Sequence, residues 1–304
     1  MDTVIFRVSR DTFPSDILSM TRILALLVFV SAQVSGSDFK PNIGPDLESI
    51  TVTCGDVTML LRQASQWTPG RFDYKGKPMT TEKSAYGTVF SFPETGFIGT
   101  AHLENEPEEL KSLRFYADDQ EIPTPTSEIT AKTFRLERES KIRTFQLTNV
   151  IEIQDNKISE TATIKTDEAT PLKLVYHFMH AWKPTCSAFI SAAEGESETL
   201  KDTDDVARLF YINQPVDWMA IYEPESSQYA VSRLIQFPDE AKPFSKLWNV
   251  PGTYRKYYLQ SFSNATVPAG FEGTWKMVTA FGSSSVEDWT DKAKGLAGSL
   301  ESTR

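Results

Sequence analysis

Residues 143–165 limit what this chain can fold into more than any other stretch. Arg143 to Gln154 reads Arg-Thr-Phe-Gln-Leu-Thr-Asn-Val-Ile-Glu-Ile-Gln, rich in β-branched and aromatic residues. After Asp155-Asn-Lys157, the run Ile158-Ser-Glu-Thr-Ala-Thr-Ile-Lys165 answers it. Two such runs about a short polar turn predict a β-hairpin. The same punctuation recurs from about residue 50 to residue 281. Residues 133–137 alternate Thr-Phe-Arg-Leu-Glu, a strand is expected over 172–182 after Thr170-Pro171, and others over 218–222, 229–237, 254–261 and 273–281. Many short strands separated by turns point to an all-β sandwich or barrel and away from a doubly wound α/β fold. Residues 197–207 are acidic and polar and read as a loop or short surface helix. Ser284, with Glu287 three residues on, predicts a capped C-terminal helix that buries Trp289 and Leu296. With no repeat and no linker, residues 45–295 read as a single domain.

The N-terminus reads as an address. Met20-Thr-Arg22 precedes an eight-residue apolar run, Ile23 to Val30, and small residues follow from Ser31 to Ser37. The run is far short of the roughly 20 residues that span a bilayer. Basic start, apolar middle and small-residue exit predict a secretory signal over residues 1–37, with Met20 an alternative initiator. The expected location is therefore secreted or periplasmic. Such a compartment permits a disulfide between Cys54 and Cys186, though two buried thiols fit the sequence equally. It also gives meaning to the sequon Asn264-Ala-Thr266 if the pathway is eukaryotic.

Charge excludes several partners. Lys plus Arg total 31 against 41 for Asp plus Glu, a net charge of −10. Nucleic-acid affinity rests on neutralising phosphates, so an acidic chain of this kind is a poor candidate for it. No P-loop, G-x-G-x-x-G or G-x-S-x-G motif is present, and no cofactor is expected. Two cysteines are too few for a Cys-cluster zinc site.

Any imidazole chemistry must use His102, His177 or His180, the chain's 3 histidines. His102 stands among carboxylates in Thr95-Gly-Phe-Ile-Gly-Thr-Ala-His-Leu-Glu-Asn-Glu106. In an extended segment His102, Glu104 and Glu106 project to one face. That set suits sugar hydroxyls, an acid/base pair or a metal, as well as a merely solvated loop. On an unbroken strand His177 and His180 face opposite ways, and His180 shares its face with Tyr176, Phe178 and Trp182. Imidazole beside aromatic rings is a common sugar-site composition, as is a plain buried core strand. Trp67 with Arg71, and Trp248 with Arg255, are aromatic-plus-arginine loops suited to lining a carbohydrate cleft.

The order of short motifs resembles one family. Lys75-Gly-Lys-Pro78, Tyr86-Gly-Thr88 and Gly96-Phe-Ile-Gly-Thr-Ala-His102 come first. His177-Phe-Met-His-Ala-Trp182 follows in mid-chain, and Val267-Pro-Ala-Gly-Phe-Glu-Gly-Thr-Trp275 comes late. This is similar to the galactose mutarotase-like superfamily, which implies a large antiparallel β-supersandwich that cradles a sugar. In the aldose 1-epimerases of that family a first histidine binds the sugar, a mid-strand histidine is the general acid and a late glutamate the general base. The resemblance implies His102 in the first role and His180, or His177, in the second. The glutamate position reads Gln260, which cannot take a proton, and Glu223 and Glu272 are the substitutes considered.

The sequence thus predicts an exported carbohydrate-binding β-sandwich with His180, His102 and Glu104 as candidate catalytic groups. His177, Trp182, Arg143, Glu106, Trp248 and Arg255 are candidate sugar contacts. If catalytic, it would interconvert anomers or process polysaccharide. A non-catalytic exported binding or structural module and a metal-dependent hydrolase built on His102 are the alternatives.

Overall fold

A computed structural model describes residues 49–82, 86–102, 105–124, 127–193, 198–200, 210–250 and 252–300. The expected secretory signal over residues 1–37 lies outside the described residues. The predicted hairpin forms from Phe145–Gln154 and Lys157–Thr166, paired antiparallel so that Gln154 meets Lys157. Its two connecting residues, Asp155 and Asn156, have φ of 51° and 59°. Left-handed backbone at both positions is what a tight two-residue hairpin needs to match the right-handed strand twist.

This hairpin lies in the middle of a ten-stranded antiparallel sheet that also holds Phe134–Ile142 and Phe271–Ser283. A six-stranded antiparallel sheet orders as Phe210–Gln214, Phe244–Val250, Tyr254–Ser261, Leu174–Trp182, Val89–Phe92 and Gly96–Gly99. A five-stranded sheet contributes Ser49–Cys54, Val57–Arg62 and Pro69–Tyr74, with one parallel pair, Ser49–Cys54 against Glu128–Ala131. Inward residues of all three, among them Val52, Phe72, Leu136, Ile151, Val175, Tyr257 and Trp275, merge into one core. The all-β antiparallel sandwich expected from the strand punctuation is the architecture found.

The C-terminal helix spans Trp289–Ser299 and starts from Asp288, later than expected. Ser284 does not cap it. Instead the Ser284 amide donates to the Ser227 carbonyl, extending the strand edge. The helix covers a second apolar cluster on the far side of the ten-stranded sheet, where Trp289 stacks on Tyr222 with ring centroids 5.2 Å apart. Leu296 packs at the margin of that cluster. Of the acidic stretch 197–207, the described part holds a two-residue strand, Glu198–Thr199, paired with Ala188 and Phe189.

Because Trp289 is the largest of the side chains by which this helix packs on the sheet, Trp289→Ala should cost about 3–5 kcal/mol, the usual price of an aromatic truncated in a packed site. The urea midpoint of the variant checks this, and a change under about 1 kcal/mol would show that the helix merely rests on the sheet.

Candidate functional site

One irregularity in the central strand of the six-stranded sheet decides which side chains face where. Leu174–Trp182 pairs with Tyr254–Ser261 so that His177 meets Leu259, but the next register point joins His180 to Tyr257. The His-bearing strand therefore carries one extra residue. Phe178 absorbs it with φ of 53°, a left-handed conformation that costs a bulky residue about 1–2 kcal/mol. Burial of the Phe178 ring in the core offsets that cost. The bulge corrects the expectation of alternation. His177, His180 and Trp182 all point into the core, whereas Tyr176, Met179 and Ala181 point to the far face of the sheet.

Both interior histidines meet the opposing sheet. Nε2 of His180 lies 2.6 Å from Oε2 of Glu160, which projects from the hairpin strand Lys157–Thr166. The Phe72 and Trp182 rings meet the imidazole edge-on at 5.0 and 5.6 Å. The His177 ring lies against Trp275, centroids 4.4 Å apart, and its Nδ1 is 3.1 Å from Thr88 Oγ1. Complete burial pushes the His177 pKa down to about 3, because no compensating charge replaces the lost water. His177 is neutral packing, and His180 with Glu160 is a core hydrogen bond.

His102 stands on the far face. Gly96–Gly99 leads into a tight turn in which the His102 amide donates to the Gly99 carbonyl at 3.0 Å. Gly99 is required there, since a Cβ would stand 2.6 Å from the Val89 Cα. The His102 ring lies 4.9 Å from Tyr86, 5.3 Å from Phe97 and 6.4 Å from Tyr176. Tyr176 continues to Tyr258 at 5.2 Å. Lys256 extends over the same face, its Nζ 5.2–5.7 Å from the ring centroids of Tyr86, Tyr176, Trp248 and Tyr258. Trp248 adds Phe210 at 6.3 Å. Desolvation pushes the Tyr258 hydroxyl up to about 12, so it remains a neutral donor. The face is a platform of aromatic rings with an imidazole at one end and an ammonium near its centre.

A buried ion pair anchors the His102 turn from below. Arg138 and Glu108 are 2% and 0% exposed and pair through two bonds of 2.9 and 2.5 Å. Thr100 Oγ1 donates to Glu108 at 3.0 Å, and Arg138 Nε donates to the Gln66 carbonyl at 3.2 Å. The Gln66 side chain in turn accepts from the Ala101 amide at 3.0 Å, one residue before His102.

The remaining candidates scatter. Glu104 lies outside the described residues. Glu106 and Arg143 pair with each other through two bonds, one of 3.0 Å, which holds the Glu106 carboxyl below its usual range. Arg143 sits in a hairpin turn, donates to Thr95 at 2.6 Å and stacks over Phe92. Trp67 is fully buried, which corrects its place in a cleft, and Arg71 pairs with Asp73 and Glu82. Arg255 is also corrected. It alternates with Lys256, points inward, and donates to the Cys186 carbonyl and to Asn249.

Gln260 does face the far side, flanked by Tyr176 and Phe244, and donates to Ser263 at 2.6 Å. Of its proposed substitutes, Glu223 is buried on the ten-stranded sheet, accepting from Lys183, Thr185 and the Glu225 amide. Glu272 is exposed and pairs with Lys165. Cys54 and Cys186 are separate buried thiols, both pushed up by burial, Cys54 to about 11. No group of three metal-ligating side chains forms among the described residues. The set considered for a metal is split, with His102 on one side of the sheet and His177 and His180 on the other.

Lys256, Tyr258 and Tyr86 were not anticipated. The signal for Lys256 and Tyr258 was the alternation in Tyr254-Arg-Lys-Tyr-Tyr-Leu-Gln260, which separates Tyr254, Lys256, Tyr258 and Gln260 from Arg255, Tyr257 and Leu259.

Two outcomes follow. Glu108→Gln leaves Arg138 buried without its counter-charge and should cost about 3–5 kcal/mol in urea unfolding, whereas Glu108→Leu with Arg138→Met should cost far less. If the single and double changes cost the same, the pair is not a coupled unit. The second outcome concerns pH. His177 binds its proton near 6.5 when unfolded and only near 3 when folded, so the unfolded state holds more protons between those values. Stability should therefore fall as pH drops from about 6.5 towards 3, by about 1.4 kcal/mol per pH unit from this group. His177→Phe should flatten that slope, and an unchanged slope would reject His177 as its source.

No protein-family model matches the chain, and no curated protein matches it by sequence. Solved structures do match. A galactose mutarotase-like protein from Lactobacillus casei superposes with a TM-score of 0.50 at 8% identity, covering 77% of this chain and 100% of that one. A putative aldose 1-epimerase from Escherichia coli gives 0.44 at 9% identity, covering 78% and 99%. The α-galactosidase AgaB from Geobacillus stearothermophilus gives 0.47 at 10% identity, covering 80% of this chain and 41% of the enzyme. The likeness to the Lactobacillus casei protein shows the fold. This chain has the galactose mutarotase-like β-sandwich that its motifs resemble.

Proposed function

We propose that this protein binds carbohydrate on the far face of the six-stranded sheet, as an exported binding module. The observation that carries the reading is the ring platform of Tyr86, Phe97, Tyr176, Trp248 and Tyr258 beside His102. Ring faces suit the C–H face of a pyranose, while the His102 imidazole, the Tyr258 hydroxyl and the Lys256 ammonium supply convergent polar groups for hydroxyls. A mostly aromatic surface with a few placed polar atoms matches the usual composition of a small-molecule site.

Two placements favour binding over anomer interconversion. His180, the candidate acid, points into the core against Glu160, away from the platform. Gln260, at the position of the family's base, presents an amide to the platform. Proton transfer to a sugar held there has neither partner of the expected pair.

Calorimetric titration of the full chain with neutral and acidic mono- and oligosaccharides tests the proposal. His102→Ala and Trp248→Ala should each weaken the tightest ligand about 10-fold, equivalent to about 1.4 kcal/mol, without lowering the melting temperature. His180→Gln should leave the dissociation constant within about 2-fold of wild type. If no sugar binds, or if His180→Gln abolishes binding in a folded protein while the two platform changes do not, this assignment is wrong.

A further inference from the structure

A row of side chains leads from the ring platform towards one edge of the six-stranded sheet. Tyr176 pairs with Gln260, and Gln260 pairs with Phe244, so the three lie side by side across neighbouring strands. Phe244 shares its face with Lys246, whose Nζ lies 5.8 Å from its ring centroid, while Ser245 and Leu247 point inward. With strands about 4.8 Å apart, the backbones of Tyr176 and Phe244 are separated by about 10 Å. That is room for one sugar and one further ring.

At Phe244 the row meets a hollow of about 380 Å³. Two prolines, Pro215 and Pro243, and two phenylalanines, Phe237 and Phe244, line it with Val216 and Leu234. Val216 and Leu234 belong to the core, whereas Phe237 and Phe244 are 38% and 37% exposed. Among the described residues the other phenylalanine this exposed is Phe97, which lies beside His102 at the opposite end of the platform. Large rings left in water forgo the gain of burial, and their concentration along one face marks a binding surface. The charged lining residues are Lys242 and Asp217, and Asp217 accepts from Arg233 at 2.8 Å.

This composition is wrong for a second sugar. A pyranose brings several hydroxyls, and a hydroxyl buried against proline and phenylalanine loses its bonds to water without replacement. Flat apolar walls suit an aromatic ring instead, and the volume, near the lower end for small-molecule sites, is enough for one.

We infer that the ligand of this protein is an aryl glycoside, whose sugar lies on the platform, whose linkage passes Gln260 and whose aromatic aglycone enters the hollow lined by Phe237 and Phe244. The inference rests on the sugar-site reading above and specifies the class of its ligand.

Calorimetry on the full chain tests it with the methyl, phenyl and hexyl β-glycosides of glucose and of galactose. For one of these sugars the phenyl glycoside should bind about 10-fold tighter than the methyl glycoside, as burial of one ring predicts, and tighter than the hexyl glycoside. The phenyl-to-methyl ratio should fall to within about 3-fold of unity in Phe237→Ser and in Phe244→Ser, each shown to be folded by its melting curve. Phe237→Leu and Phe244→Leu, which remove the flat ring but keep an apolar side chain, should lower the ratio in the same direction and serve where a serine variant does not fold. The ratio should persist in Val286→Ser, an exposed apolar residue between the strand Phe271–Ser283 and the C-terminal helix. Equal affinity for phenyl and methyl glycosides would overturn this inference and leave the sugar site standing. A phenyl preference that survives loss of either phenylalanine would overturn the assignment to this hollow. Tighter binding of the hexyl glycosides would overturn the aryl class, and binding of none of the six would overturn both readings.

Discussion

The pair Glu108–Arg138 is the constraint from which the geometry of the far face follows. Arg138 comes from the ten-stranded sheet, Glu108 from the segment after the His102 turn, and a further partner, Gln66, from the end of the short helical turn beside the five-stranded sheet. A bidentate guanidinium–carboxylate contact fixes two planes relative to each other, which a single apolar contact does not. Buried ion pairs of this kind contribute little net stability against an apolar substitute, but they penalise every arrangement that separates the partners. Here the penalised arrangements are those in which residues 99–108 slide along the sheet. The chain through Thr100, Glu108, Arg138, Gln66 and Ala101 closes on itself within one residue of His102. The turn that carries the imidazole is thus located by bonds made beneath it.

The bulge at Phe178 has the complementary effect on the neighbouring strand. Without it, His180 would lie beside Tyr176 on the far face, within the platform. With it, the residues from Phe178 onward are turned over, and the core receives an imidazole that accepts a carboxylate partner, which Glu160 supplies from the opposing sheet. One inserted residue therefore exchanges a candidate acid on the platform for a polar cross-link between two sheets. Phe178 adopts its unfavourable backbone because its ring gains full burial beside Glu160 and Arg138. Together with an amide at Gln260, this leaves the far face without the acid and the base that the resemblance implies for it.

How much of this was legible in the sequence differs by level. Strand positions were readable because alternation and turn chemistry are local. Residues 254–261 coincide with the observed strand, and Asp155-Asn156 makes the turn its composition suggests. The antiparallel sandwich followed from the number of such strands. Which face each histidine takes was not readable, since a bulge is selected by packing on both sides of the strand and leaves no mark in the pattern His-Phe-Met-His. Arg255 and Trp67 misled for a related reason. An arginine beside a tryptophan suggests a cleft, but an arginine whose donors are taken by a backbone carbonyl and a side-chain amide oxygen is as content inside. The Ser284 cap failed because Ser284 serves the strand edge, a partner far away in sequence. Lys256 was the most informative residue overlooked, and period-two counting along its own strand would have placed it with Tyr258.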